Sequence, residues 1–199
     1  MCQSGTVAGR TWRIFLAYSS SEMRITGGRW KGRRPKVARG FKGRPTTDFG
    51  RESLFNLLDA RVSLGGLHVL ELFGGTGMVA LEFLSRECGS VTSVELDPKA
   101  VRSMTALARD WEIEDWSVVR GNVLQFIKRS LTQYDLIFAD PPYDLPELAE
   151  LPGRILDGAL LVPGGWFILE HGERTNVSDC EHYVETRKYG HVYFSLFTT

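Results

Sequence analysis

A short apolar run, His68-Val69-Leu70-Glu71-Leu72-Phe73, passes without interruption into Gly74-Gly75-Thr76-Gly77 and then into a helical pattern from Met78 to Cys88. Few folds accept that order. The run reads as a buried strand. Glycine lets the chain turn sharply and bring its backbone close to a ligand. The first turn of the following helix presents N–H groups that have no intrahelical partner. A strand, a glycine loop and a helix in succession are therefore one unit of a parallel α/β sheet, with a ligand expected at the loop.

The rest of the chain repeats the alternation. Further strands are expected at Val91–Glu95, Trp116–Val119, Tyr134–Ala139 and Trp166–Glu170. Helices are expected from Pro98, with Val101, Met104, Leu107 and Ala108 as its apolar stripe, at Val123–Leu131, and over most of Leu145–Leu156. Val162-Pro163-Gly164-Gly165 reads as a turn. His182–Lys188 and His191–Phe197, joined at Tyr189-Gly190, read as a closing hairpin, so one antiparallel strand is expected in an otherwise parallel sheet. Ahead of all this, Thr47 or Asp48 can cap a helix over Phe49–Leu58. The pattern implies a Rossmann-like α/β domain with a seven-stranded, mostly parallel sheet over residues 61–199, preceded by a small appendage over residues 23–60.

Gly75-x-Gly77-x-x-Ala80 satisfies the dinucleotide fingerprint, and Glu95 lies at about the ~20-residue offset of a ribose-binding acid. That pattern alone does not separate a nicotinamide dinucleotide from another adenosine cofactor. Glu71 does more. An acid just ahead of the glycines is awkward beside a pyrophosphate but suits the sulfonium and ammonium of S-adenosylmethionine. The closing hairpin also fits a methyltransferase sheet better than a dehydrogenase sheet. Asn122 could meet the adenine amino group or cap the helix that starts at Val123, and the two roles are compatible.

Asp140-Pro141-Pro142-Tyr143 follows the apolar strand Tyr134–Ala139. Proline fixes φ and lacks an N–H, so the strand must end in a stiff turn. Open α/β sheets bind ligands at such strand ends. A carboxylate and freed carbonyls can accept hydrogen bonds from an exocyclic amine, and a tyrosine ring can stack on the base that carries it.

The 199 residues suit one domain, and 43% hydrophobic with 24% charged residues is ordinary for a water-soluble chain. No apolar run is long enough to span a membrane. Three cysteines at Cys2, Cys88 and Cys180 fit neither a zinc motif nor a disulfide framework, so a reducing cytoplasm is expected and no metal. The net charge is zero, but it is unevenly spread. Arg24, Arg29, Lys31, Arg33, Arg34, Lys36, Arg39, Lys42, Arg44 and Arg51 face only Asp48 in the same stretch. Basic residues packed so closely repel one another without an anionic partner, which points to nucleic-acid phosphates. Met23 opens this segment and is the expected natural start, with residues 1–22 disordered or a non-native extension. His68, His171, His182, His191, Trp111 and Trp116 are expected to be structural.

Met23-Arg-Ile-Thr-Gly-Gly-Arg-Trp-Lys-Gly-Arg33, Arg44-Pro-Thr-Thr-Asp48, Arg51-Glu-Ser-Leu-Phe-Asn56, Leu72-Phe-Gly-Gly-Thr-Gly77 and Asp140-Pro-Pro-Tyr143 together resemble the bacterial 16S ribosomal RNA guanine-N2 methyltransferases that act on the small-subunit head. The likeness runs from Met23 to near the carboxyl terminus. That family usually carries Asp-Leu-Phe-Ala-Gly-Ser-Gly at the loop and an aspartate at position 122. The resemblance implies methyl transfer from S-adenosylmethionine to a guanine N2 in 16S rRNA, within a 30S subunit or an assembly intermediate, by a cytoplasmic monomer. It implies catalysis by Asp140, Pro141, Pro142 and Tyr143. It implies cofactor contacts from Glu71, Phe73, Gly74, Gly75, Thr76, Gly77, Glu95, Leu96, Asn122, Val123 and Asp140. RNA contacts would come from Arg24, Arg29, Lys31, Arg33, Arg34, Arg44 and Arg51. Rival readings are a DNA adenine-N6 or cytosine-N4 methyltransferase, an NAD-dependent oxidoreductase, and a non-catalytic RNA-binding assembly factor.

Overall fold

The computed structural model describes residues 23–37, 47–158 and 160–199. Strands β1 (His68–Leu72), β2 (Ser90–Glu95), β3 (Trp116–Arg120), β4 (Tyr134–Ala139), β5 (Leu161–His171), β6 (Tyr183–Tyr189) and β7 (Val192–Thr198) make one sheet. Its order is β3-β2-β1-β4-β5-β7-β6. Strands β1 to β5 pair in parallel, while β7 runs antiparallel to both β5 and β6. This is the mixed sheet that alternation followed by a hairpin implies.

Side chains of a strand alternate between faces. Along β4, Leu136 and Phe138 enter one core and Ile137 and Ala139 the other. The first core also receives α1 (Asp48–Asp59), α2 (Met78–Ser85) and α3 (Pro98–Asp110); the second receives α4 (Val123–Arg129) and α5 (Leu151–Leu156). A sheet covered on both faces explains why its central strands are apolar runs rather than alternating ones. Thr47 caps α1 by accepting from the Gly50 amide at 3.1 Å, and Asp97 caps α3 with Pro98 in its first turn.

Several boundaries differ from the expectation. Helix α2 stops at Ser85, not Cys88, because Glu87 turns left-handed at φ 64°. Only Leu148–Glu150, a 3-10 turn, and α5 are helical between Leu145 and Leu156. Strand β5 already starts at Leu161, ahead of Val162–Gly165. The expected turn survives inside it as an irregularity: pairing jumps from Tyr134–Leu161 to Leu136–Trp166. Val101 and Ala108 are only half-buried, leaving Ala100, Met104 and Leu107 as the inward residues of α3.

Residues 23–37 form no strand. They close a loop through Ile25 N to Arg33 O (3.0 Å) and Gly32 N to Ile25 O (2.8 Å). Met23, Ile25 and Val37 are buried in the first core, so the segment is built into the domain. It is stitched to the end of α2. The Arg29 amide donates to Ser85 O at 2.7 Å, and the Ser85 hydroxyl donates to Gly27 O at 2.6 Å. Gly28 lies at φ 72°, and a Cβ there would stand 1.9 Å from Ser85 O, so only glycine fits. Residues 1–22, and with them the expected extension, lie outside the described residues.

Candidate active site

The carboxyl ends of β1, β2, β4 and β5 meet around the glycine loop. Glu71 is 2% exposed at the end of β1. Its Oε2 accepts from the Ser93 hydroxyl at 2.5 Å and its Oε1 from the Ala80 amide at 3.1 Å. Ser93 in turn accepts from the Trp116 indole at 2.9 Å. Glu71 thus supplies the cap that Gly77, which has no side chain, cannot give α2. Burial pushes its carboxyl up to about 8 against the bonds from Ser93 and Ala80, with the charges of Glu95 and Asp140 adding to the rise.

The loop itself is tightly shaped. Phe73 sits at φ 63°, a left-handed conformation that costs a side-chain-bearing residue on the order of 1–3 kcal/mol and that tends to persist at functional sites. Gly77 at φ 75° lies against Met104 and Trp116, and a Cβ there would approach both at 2.8 Å. Glycine 77 therefore serves helix packing. Gly75, whose Cβ would meet only Phe73 O at 3.8 Å, is where the backbone lies open. Glu95 ends β2 and accepts from the Gly75 amide (2.9 Å) and the Asp97 amide (2.7 Å), so it holds the loop beside the next helix. Leu96 follows it, 61% exposed, an apolar surface at the rim.

Asn122 caps α4, its Oδ1 accepting from the Gln125 amide at 3.1 Å. The side chain of Val123 is buried in the second core, so a contact from this residue at the edge would come from its backbone N–H in the first turn of α4.

At the end of β4 the Asp140 amide donates to Leu72 O at 3.3 Å, fixing the acceptor turn against the strand that carries the glycine loop. Pro142 O accepts from the Leu145 amide at 2.9 Å, which closes the turn behind Tyr143. Tyr143 is half-exposed, with its ring against Gly172, where a Cβ would be 3.0 Å from the ring. Its hydroxyl donates to Glu170 Oε1 at 3.3 Å. Glu170 was not among the expected site residues. It lies one residue before the end of β5, at the same sheet edge as Asp140. Burial first, and the nearby Asp140 charge second, hold its carboxyl well above the usual range.

The structure divides the expected RNA contacts. Arg24, Arg29, Lys31, Arg33 and Arg34 are exposed. Arg51 is not: it is fully buried, donating to Arg24 O at 2.9 Å and pairing with Asp48 and Glu82. Its role is to hold the basic segment, and the expectation of an RNA contact is corrected. Arg44 lies outside the described residues. Arg33 stacks on Trp111 at 3.7 Å and Arg29 on Trp30 at 4.3 Å, while the two indoles meet edge to face. Beside them Arg33, Arg34, Lys36 and Trp111 line a groove of about 570 Å³. No group of metal-binding side chains occurs among the described residues, and none of their helices is long and apolar enough to cross a membrane.

A 3-2-1-4-5-7-6 sheet with an antiparallel β7, a glycine loop after β1 and an acid ending β2 define a Rossmann-like class I methyltransferase. The chain belongs to the family described as Conserved hypothetical protein 95, whose model matches residues 23–198. It is similar to the ribosomal RNA small subunit methyltransferase D of Escherichia coli, with 33% identity over 148 residues that cover 71% of this chain and 74% of that one. Among solved structures, an Escherichia coli protein solved as a candidate methyltransferase has a TM-score of 0.78 at 28% identity, covering 88% of this chain and 97% of that one. A more distant structure, complexed with SAH, shares the fold at 18% identity and a TM-score of 0.61, covering 75% of this chain and 48% of that one.

Proposed function

We propose that this protein transfers a methyl group from S-adenosylmethionine to the exocyclic N2 amine of a guanine in 16S ribosomal RNA. The observation that carries the reading is the bond from the Asp140 amide to Leu72 O. It sets an amine-accepting turn directly beside the loop that would hold a methyl donor. The family's curated small-subunit rRNA methyltransferases and the exposed arginines of residues 24–34 favour RNA as the owner of the amine.

The donor set fits a cationic cofactor. The charges of Glu95 and Asp140 oppose the ionisation of Glu71, and a positive ligand beside Glu71 would favour its carboxylate. When bound, S-adenosylmethionine supplies an electrophilic methyl on a sulfonium sulfur. Glu71 would lie nearest its charged end, Glu95 would take the ribose hydroxyls, and Leu96 would cover the adenine. Asp140 and the Pro141 carbonyl would accept hydrogen bonds from the target amine, which localises the nitrogen lone pair and aims it at the methyl carbon. Tyr143 would stack on the flipped or unpaired base, whose extrusion costs on the order of a few kcal/mol. As the N–C bond formed and the C–S bond of the donor broke, Asp140 or water would take up the amine proton. Positioning and electrostatics supply most of the acceleration in this scheme.

The test is mass mapping of 16S rRNA from cells that lack the protein, followed by methylation of their small-subunit particles with the purified protein. One guanosine should lose, then regain, a single N2 methyl. Methyl incorporation into duplex DNA instead of the particles would overturn the reading.

A further inference from the structure

Glu170 and Asp140 occupy matching places on neighbouring strands. Ala139 and Leu169 are register partners of β4 and β5, and the two acids are the next residues of each. Because side chains alternate, both carboxylates leave the sheet on the face that carries Phe138 and Ile168. Glu170 is 4% exposed. Its Oε1 is committed to the Tyr143 hydroxyl at 3.3 Å. Its Oε2 is buried and has no hydrogen-bond partner among the described residues.

A buried carboxyl oxygen left without a donor is costly, and native structures keep few of them. This one lies beside the residues proposed to hold the target amine and its base. An incoming donor would satisfy it. The Watson–Crick edge of guanine offers that donor: its N2 amine is flanked by N1–H. The corresponding edge of adenine has N1 as an acceptor beside the N6 amine.

Resting on the function proposed above, we infer that Glu170 is the residue that selects guanine, its Oε2 accepting N1–H while Asp140 accepts N2–H. Two carboxylates side by side thus read two adjacent donors of one base edge, and Tyr143 links the reader to the stacking ring. Guanine N1–H favours the ionised Glu170 carboxylate that accepts it, whereas a base with an acceptor at N1 would face that oxygen against nitrogen lone pair. Sites built around a hydrogen bond discriminate strongly against analogues that lack it, because their own buried polar group is then left unpaired.

The experiment compares 16S rRNA carrying guanosine or 2-aminopurine at the mapped position, free and reconstituted into small-subunit particles. 2-Aminopurine keeps the 2-amine but has no N1–H. The wild-type protein is expected to favour guanosine by about 100-fold or more in kcat/KM. In Glu170→Gln, whose amide can donate to N1, that ratio should shrink by about tenfold or more while S-adenosylmethionine affinity stays the same. Equal use of both bases by the wild-type protein overturns the inference even if the variant does not fold. So does an unchanged ratio in a folded Glu170→Gln. In both cases N2 methylation of guanosine would persist and the proposed function would stand. Absence of any methylation of the guanosine RNA would overturn that function and this inference together.

Discussion

Thr26 and Glu82 are joined twice across 56 residues of sequence, the Thr26 amide donating to Oε1 at 2.7 Å and its hydroxyl to Oε2 at 3.0 Å. Glu82 also pairs with the fully buried Arg51 and with Arg86, so one acid on α2 fastens both the basic segment and α1 to the domain. Removing one member of a buried pair strands the other as an uncompensated charge, at about 3–5 kcal/mol. Glu82→Ala is therefore expected to lower the unfolding free energy by about that amount in urea titrations. Glu82→Gln, which can still accept from Thr26, should lose less. A loss under about 1 kcal/mol for Glu82→Ala would show that the segment is held mainly by its apolar anchors, Met23 and Ile25.

Glu71 makes a pH-dependent contribution whose sign follows from its raised carboxyl. The folded chain keeps this proton up to about pH 8, whereas the unfolded chain loses it near the ordinary 4.5. The folded state thus binds more protons between those values, and stability falls as pH rises through that window. Thermal unfolding of the ligand-free protein should lose stability from pH 5 to pH 8, by on the order of a few kcal/mol. Glu71→Gln should flatten that decline while weakening S-adenosylmethionine binding. An identical pH profile in the variant would show that Glu71 is already ionised at neutral pH.

How far the sequence reached can be read from particular residues. Central strands were legible because a strand covered on both faces must be a continuous apolar run, and Tyr134–Ala139 was placed to the residue. The start of α3 at Pro98 was legible because proline's fixed φ suits the first helical turn, a purely local preference. Arg51 was not, because its burial depends on Glu82 and Arg24 O, partners far away in sequence. Glu170 escaped for a related reason. It becomes conspicuous only when register places it next to Asp140, and strand pairing is a long-range fact.

Asp140 separates binding from chemistry. Its backbone holds the turn to Leu72, while its side chain is proposed to orient the amine. Asp140→Ala retains that amide, so the turn should persist. Isothermal titration should find S-adenosylmethionine affinity within about threefold of wild type, and methyl transfer should fall by about 100-fold or more, the scale of one lost positioning or electrostatic group. Retained turnover in Asp140→Ala would remove the side chain from the reaction.

Arg33 and Arg34 test the basic face apart from the cofactor site. Both are exposed, and Arg33 rests on Trp111 at the wall of the groove that Arg34 and Lys36 share. Each phosphate contact neutralised by a cation releases counterions, so affinity falls with salt in proportion to the number of contacts. Replacing both arginines with alanine should reduce the slope of log affinity against log salt by about 1.5, with the loss of affinity greatest at low salt. S-Adenosylmethionine binding should not change, because these residues lie on the segment fastened to α2 and α3 rather than at the strand ends. Trp111→Ala supplies the contrast. It removes the surface that orders Arg33 but no charge, so it should weaken RNA binding while leaving the salt slope near the wild-type value. A slope that falls as far in Trp111→Ala as in the double arginine variant would mean that Arg33 reaches phosphate only when the indole holds it.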